Sequence, residues 1–178
     1  MTLLGELVDP ITRQDIEDTV AFVGSKHVTL AGMDLRHLDD LAEINLEGAN
    51  LNEAQLDRVK LTQANLKGAK FENASMRGTL LDDAQLQEAN FYRADLRNGN
   101  LAGAFLQKAY LGSANLQGAN LSGANLTEAN LHFTDLRDAD LRETIMTSIQ
   151  LGGARYNEKT RWPEKLNPKL VGAIFERR

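Results

Sequence analysis

Residues 113–136 read SANLQGANLSGANLTEANLHFTDL, and a leucine returns at every fifth place: Leu116, Leu121, Leu126, Leu131 and Leu136. Two places before each stands a small residue, Ala114, Ala119, Ala124, Ala129 or Thr134, with Asn or Asp between. Five residues of α-helix advance about 500°, so these leucines would scatter around the cylinder instead of forming a stripe. In a strand an odd period sends each leucine to the opposite face from the one before. They share a core only if the chain turns a corner after each short extended piece and winds into stacked coils. The spacing therefore predicts a β-solenoid.

The beat extends far beyond this stretch. Every position ending in 1 or 6 from Leu41 to Leu151 is Leu, Phe or Met, making 23 consecutive pentads; the departures from Leu are Phe71, Met76, Phe91 and Met146. From the pentad of Leu46 onward the small slot departs from Ala at Ile44, Val59, Thr79, Gly99, Thr134, Thr144 and Ile149. Short-period self-similarity of this length marks a repeat architecture.

The triplets Ala114-Asn115-Leu116 and Ala119-Asn120-Leu121 resemble the A-(N/D)-L-x-x unit of the pentapeptide-repeat family, and the resemblance covers about residues 28 to 155. It implies an all-β solenoid, a right-handed quadrilateral β-helix with four pentads per coil and the Leu and Ala side chains inward. Six such coils would make a rod on the order of 28 Å long. Members of the family are numerous in photosynthetic bacteria. The run Tyr156 to Pro163 also resembles closing segments of bacterial members.

Length and composition fit one domain of 178 residues. At 42% hydrophobic the chain is not disordered, and without cysteine it has neither disulfides nor a thiol nucleophile. A net charge of −5 argues against direct nucleic-acid binding. No secretory pattern opens the chain and no run of 18 apolar residues spans a membrane, so a cytoplasmic location is the expectation.

Residues 1–27 lie off the beat. Leu3, Leu4, Leu7 and Val8 have helical spacing, Asp9-Pro10 reads as a break or cap, and Thr12 with Asp15 has capping-box spacing. Ile16, Val20 and Val23 form a stripe that Gly24 can end. One or two short helices are expected here, as an N-terminal cap over the open coil or as a homodimer surface. Because Ala21 and Phe22 lie off the stripe, the homodimer alternative would cover more than one face of the helix. Between Leu35 and Leu41 the spacing is six, which predicts a bulged corner within residues 36–40. Residues 28–155 form the repeat, ending at Ala154-Arg155-Tyr156, and residues 156–178 form a short C-terminal cap anchored by Trp162.

Few residues of the chain have a spacing that chemistry could use. His27, His37 and His132 have no metal-ligand partner at the required spacing and read as surface residues. Gly68, Gly118 and Gly123 are repeat slots and not a phosphate loop. No nucleophile, base and orienter come together, so the expectation is no enzyme, no metal and no cofactor.

Grouping outward residues by twenties separates the sides. The side of Leu61, Leu81 and Leu121 carries six carboxylates, including Asp40, Asp82, Asp83 and Asp140, against Lys60 and Arg142. The side of Met76, Leu96 and Leu136 stacks Arg77, Arg97 and Arg137 against Asp95, Asp135 and Asp138 as a salt-bridged ladder. The side of Phe71, Phe91 and Leu131 shows Tyr92, Tyr110, His132 and Phe133, a candidate contact surface for a protein partner. The leading expectation is a non-catalytic interaction scaffold. The alternative comes from the resemblance: some members imitate duplex DNA and protect gyrase from inhibitors. Here that acidity is confined to one side and is interrupted at Asn100, Ala102, Gly103, Asn120, Ser122 and Gly123.

Overall fold

A computed structural model describes residues 10–177. Leu3, Leu4, Leu7, Val8 and Asp9, with the helical spacing expected of them, lie outside the described residues.

The repeat is a β-helical solenoid built from single parallel bridges instead of long strands. From Asp40 to Asp135 each residue preceding an inward slot bridges the residue twenty places on, as in Asn45–Asn65, Asn65–Gln85 and Asn100–Asn120. One coil is therefore four pentads, and its four sides recur every twenty residues. Leu, Phe and Met of the beat fill the axis together with the small slots, and Phe71 and Phe91 stack there at 4.8 Å, with their planes 3° apart.

The outer part of each pentad follows from its sequence. The Asn or Asp side chain accepts the amide of the residue two places on, as Asn120 does from Ser122 at 3.1 Å and Asn130 from His132 at 3.0 Å. That local bond favours a corner and explains the residue types between Ala and Leu. The next corner residue has positive φ in all 23 pentads, and 16 of these residues are not glycine. Threonines in the small slot are satisfied by backbone: Thr79 donates to the Leu56 carbonyl at 2.9 Å and Thr134 to the Leu111 carbonyl at 2.8 Å.

Helix α1 spans Arg13–Val23. Thr12 and Asp15 form the expected capping box, and Gly24 with φ 80° ends the helix. Ile16 is fully buried and Ile11 joins the same core, while Arg13 donates to the carbonyls of Asp40 and Ala42 at 3.3 and 3.0 Å. Away from its inward stripe the helix presents Phe22, 82% exposed, and Ala21 at the surface. Its stripe is narrow because contact runs through Ile16, with Val20 and Val23 packed only in part.

The bulge lies where the six-residue spacing puts it. Asp34 bridges Gln55, twenty-one places on, whereas Asp40 bridges Lys60 at twenty. The extra residue lets His37 reach back, with Nε2 2.7 Å from the Ile11 carbonyl. His37 thus tethers the N-terminal segment, a role its surface reading did not contain.

Bridging also passes residue 155. Asp140 bridges Arg161, again twenty-one places on, and Thr160 takes the small slot with its hydroxyl on the Leu136 carbonyl at 2.9 Å. The last pairing is β1, Arg155–Tyr156, parallel to β2, Ile174–Phe175. Ala173-Ile174-Phe175 therefore repeats Ala154-Arg155-Tyr156 one rung higher. Tyr156 meets both Trp162 and Phe175 edge-on, at 5.5 and 5.4 Å.

Candidate functional site

The outward slots divide the molecule into chemically distinct sides. On the side of Leu96, Asp95 receives Arg77 at 2.6 Å and Arg97 at 2.7 Å, and Asp135 receives Arg137 at 2.5 Å and Arg155 at 2.9 Å. Partial burial works against the Asp95 anion, but the hydrogen bonds from Arg97 and Arg77 prevail and hold its carboxyl at about 2. Asp135 is likewise held below the ordinary carboxylate range, burial being outweighed by Arg137 and Arg155. Around Asp95 and Asp135 this side is a salt-bridged ladder, as its sequence suggests.

The acidic side is less acidic than its repeat slots imply. Lys60 lies 3.2 Å from Asp40 and Arg13 3.9 Å from it, while Arg142 and Arg161 approach Asp140 at 2.6 and 3.5 Å. Arg13 and Arg161 come from the two ends, where the beat is broken.

The aromatic side behaves differently. Tyr92 and Tyr110, on adjacent rungs, stack with centroids 5.6 Å apart, and the Arg93 guanidinium lies 4.9 Å from the centre of the Tyr92 ring. His132 and Phe133 follow on the next rung, with ring centroids 6.2 Å apart. The chain makes room for these rings with glycine. A Cβ at Gly112 would stand 2.9 Å from the Tyr110 ring, one at Gly152 2.7 Å from His132 Nδ1, and one at Gly153 2.6 Å from the Phe133 ring. The aromatic rings lie over bare backbone. All four sequence-predicted residues are thus brought to one side. Their glycine floor was missed, although Gly112 stands twenty residues after Tyr92 and Gly152-Gly153 twenty after His132-Phe133.

Phe133 stands apart from every other corner residue. Its φ is +58°, and it is the one apolar side chain among the 16 non-glycine residues with positive φ; the rest are polar or charged. It is also 68% exposed. A bulky residue in that conformation is strained, and water around its ring adds a second cost. Neither is needed by the coil, since Ser113 and Ser148 occupy equivalent corners.

Phe105 and Ile145, 43% and 51% exposed, mark a neighbouring side that the sequence reading did not single out. Phe105 edges a shallow depression with Gln63, Asp83, Gln85 and Gln87. Among the described residues no group of three or more His, Asp or Glu could hold a metal ion, and no helix is long and apolar enough to cross a membrane.

A family model described as pentapeptide repeats matches residues 40–78, 74–112 and 106–142. Among solved structures, the chain is similar to the pentapeptide-repeat protein Rfr23 of the cyanobacterium Cyanothece 51142, at 30% identity over 72% of this chain and 95% of that one, with a TM-score of 0.39. It is similar to HetL of Nostoc sp. strain PCC 7120, described as involved in heterocyst differentiation regulation, at 25% identity over 73% of this chain and 70% of that one, with a TM-score of 0.33. It is also similar to QnrB1, a plasmid-mediated fluoroquinolone resistance protein, at 16% identity over 84% and 92% of the two chains, with a TM-score of 0.38. No curated protein matches the chain.

Proposed function

The chain belongs to the pentapeptide-repeat family, and on that premise we propose that it is a non-catalytic scaffold that holds a protein partner against its aromatic side. The observation that carries this reading is Phe133, an exposed aromatic in a strained corner where serine serves the fold equally well. Tyr92, Tyr110 and His132 extend the contact over three rungs. Aromatic anchors held on rigid backbone lose little freedom on binding. The fold reading that accompanies it is a right-handed coil in the cytoplasm, with α1 as the N-terminal cap and residues 162–177 as the C-terminal one.

A photo-crosslinking residue placed at Phe133, and separately at Ser148 as a control corner, tests the reading in cells of the source organism. A protein adduct is expected from position 133 and not from 148. Equal adducts, or none, would sink it. A second copy of the chain is the alternative partner, favoured by Phe22 at 82% exposure on the outer side of α1; light scattering of Phe22→Ser against the parent decides that point, a change of mass supporting the helix-mediated homodimer. The DNA-mimic alternative loses ground because Lys60, Arg13, Arg142 and Arg161 pair with the acidic side. Under the scaffold reading, micromolar protein leaves gyrase supercoiling unchanged.

A further inference from the structure

The aromatic strip continues past Phe133. The Gly153 amide donates to the Gly172 carbonyl at 2.9 Å, and a Cβ at Gly172 would stand 3.4 Å from Gly152 Cα. The 3-10 turn Pro168–Val171 that leads into Gly172 therefore sits one rung above the glycine floor. This turn is well formed: the Asn167 side chain accepts from the Lys169 amide at 3.2 Å, and Gly172 ends it with φ 86°. It nonetheless holds Leu170 83% exposed and Val171 36% exposed. A folded turn that keeps leucine in water extends the same apolar surface from Tyr92 to Val171.

The charges on this strip are few and of one sign. Over residues 90–93, 110–113, 130–133, 150–153 and 168–172 the charged side chains are Arg93 and Lys169, with no carboxylate, in a chain whose net charge is −5. Among the described residues neither cation is in an ion pair. They sit at opposite ends, four rung steps apart, which is about 19 Å at a rung spacing of ~4.8 Å.

We propose that this strip receives a partner-protein segment that is apolar in its middle and acidic at both ends. The inference rests on the scaffold reading and adds the chemistry of the partner. Phe133, Tyr110 and Leu170 would anchor apolar side chains by excluding water. Arg93 and Lys169 would attract carboxylates at the rim, fix the segment along the rod axis and repel basic sequences.

The probes are labelled synthetic peptides long enough to span about 19 Å. The first has a Leu/Phe centre between Asp/Glu ends, the second the same centre between Lys ends, and the third the acidic ends around a Ser/Gly centre. Fluorescence anisotropy with the full chain is expected to show the first binding about tenfold more tightly than either of the others. Phe133→Ser should abolish that binding. Arg93→Glu combined with Lys169→Glu should reverse the preference toward the lysine-ended peptide. Serine and glutamate already occupy equivalent corners at Ser113, Ser148, Glu53 and Glu88, so the coil accepts Phe133→Ser and Arg93→Glu, and Lys169 is an exposed side chain of the 3-10 turn. Cooperative thermal unfolding like the parent's checks that the double variant is folded.

Equal binding of lysine-ended and acid-ended peptides overturns the proposal, as does an unchanged preference in the double variant. If Phe133 crosslinks to a partner while no peptide binds, or the captured segment is basic, the scaffold reading stands and this inference falls. If position 133 also captures nothing, both fail.

Discussion

The side turned toward Asp95 and Asp135 and the side turned toward Tyr92 and Phe133 share the same rungs and the same backbone bridges. On the first, Asp95 and Asp135 each take two arginines, one from their own rung and one from a neighbouring rung, and these charges are consumed within the molecule. On the second, the rings touch one another but leave apolar area and two cations facing water. The bridges hold both sides equally well, so stability is a poor guide to which one works. The informative sign is what the molecule leaves unfinished.

The largest effect tests whether the two sides stand on one core. Leu96→Asp under the ion ladder and Leu111→Asp under the aromatic strip should each destabilise by about 4 kcal/mol or more, because an unpaired charge enters a closed axis. Loss of cooperative thermal unfolding is the expected reading. A parent-like melt for either variant would show that the beat does not point inward on that side.

Asp135→Ala breaks the ladder from outside. It takes the shared acceptor from Arg137 and Arg155 and should cost about 1–3 kcal/mol in denaturant unfolding. Phe133→Gly should act in the opposite direction, raising stability by about 0.5–1 kcal/mol through relief of the positive-φ corner while removing partner contact. If Phe133→Gly destabilised instead, the ring would be serving the fold and the contrast between the sides would collapse.

Acid separates them further. Because the Asp95 pKa is depressed in the folded state, its contribution is fully present above the unfolded value of about 4 and is lost as pH falls toward the folded value of about 2. The parent's stability advantage over Asp95→Asn should therefore shrink between pH ~4 and ~2. An advantage that does not change across that window would show that Asp95 gains nothing from Arg77 and Arg97. The smallest effect belongs to Gln87→Lys, expected within about 0.5 kcal/mol of the parent, since Lys67 already holds the equivalent slot one rung earlier.

The coil was legible in the sequence because its axis admits so few residue types; Leu, Phe and Met alone keep the beat from Leu41 to Leu151. Helix α1 was legible from Thr12, Asp15 and Gly24, whose bonding is local. Contacts to backbone and returns out of register were not legible. His37 bonds to a carbonyl, which carries no residue identity, and Ala173-Ile174-Phe175 rejoins the coil at an offset of nineteen after an irregular stretch. Arg13 and Arg161 escaped the face-by-face charge reading for the same reason. For the candidate site, the aromatic residues could be read but the turn carrying Leu170 could not, because its place depends on that late return.

The steady offset of twenty has a consequence for how such a chain changes length. A tandem duplication of twenty residues within the regular stretch would add one storey and return every downstream side chain to the side it came from. A duplication of five would keep each leucine inward yet rotate the rest of the rod by a quarter turn, moving Phe133 away from Tyr92's side. Growth in whole coils therefore preserves a binding surface, while growth in single pentads dismantles one and composes another.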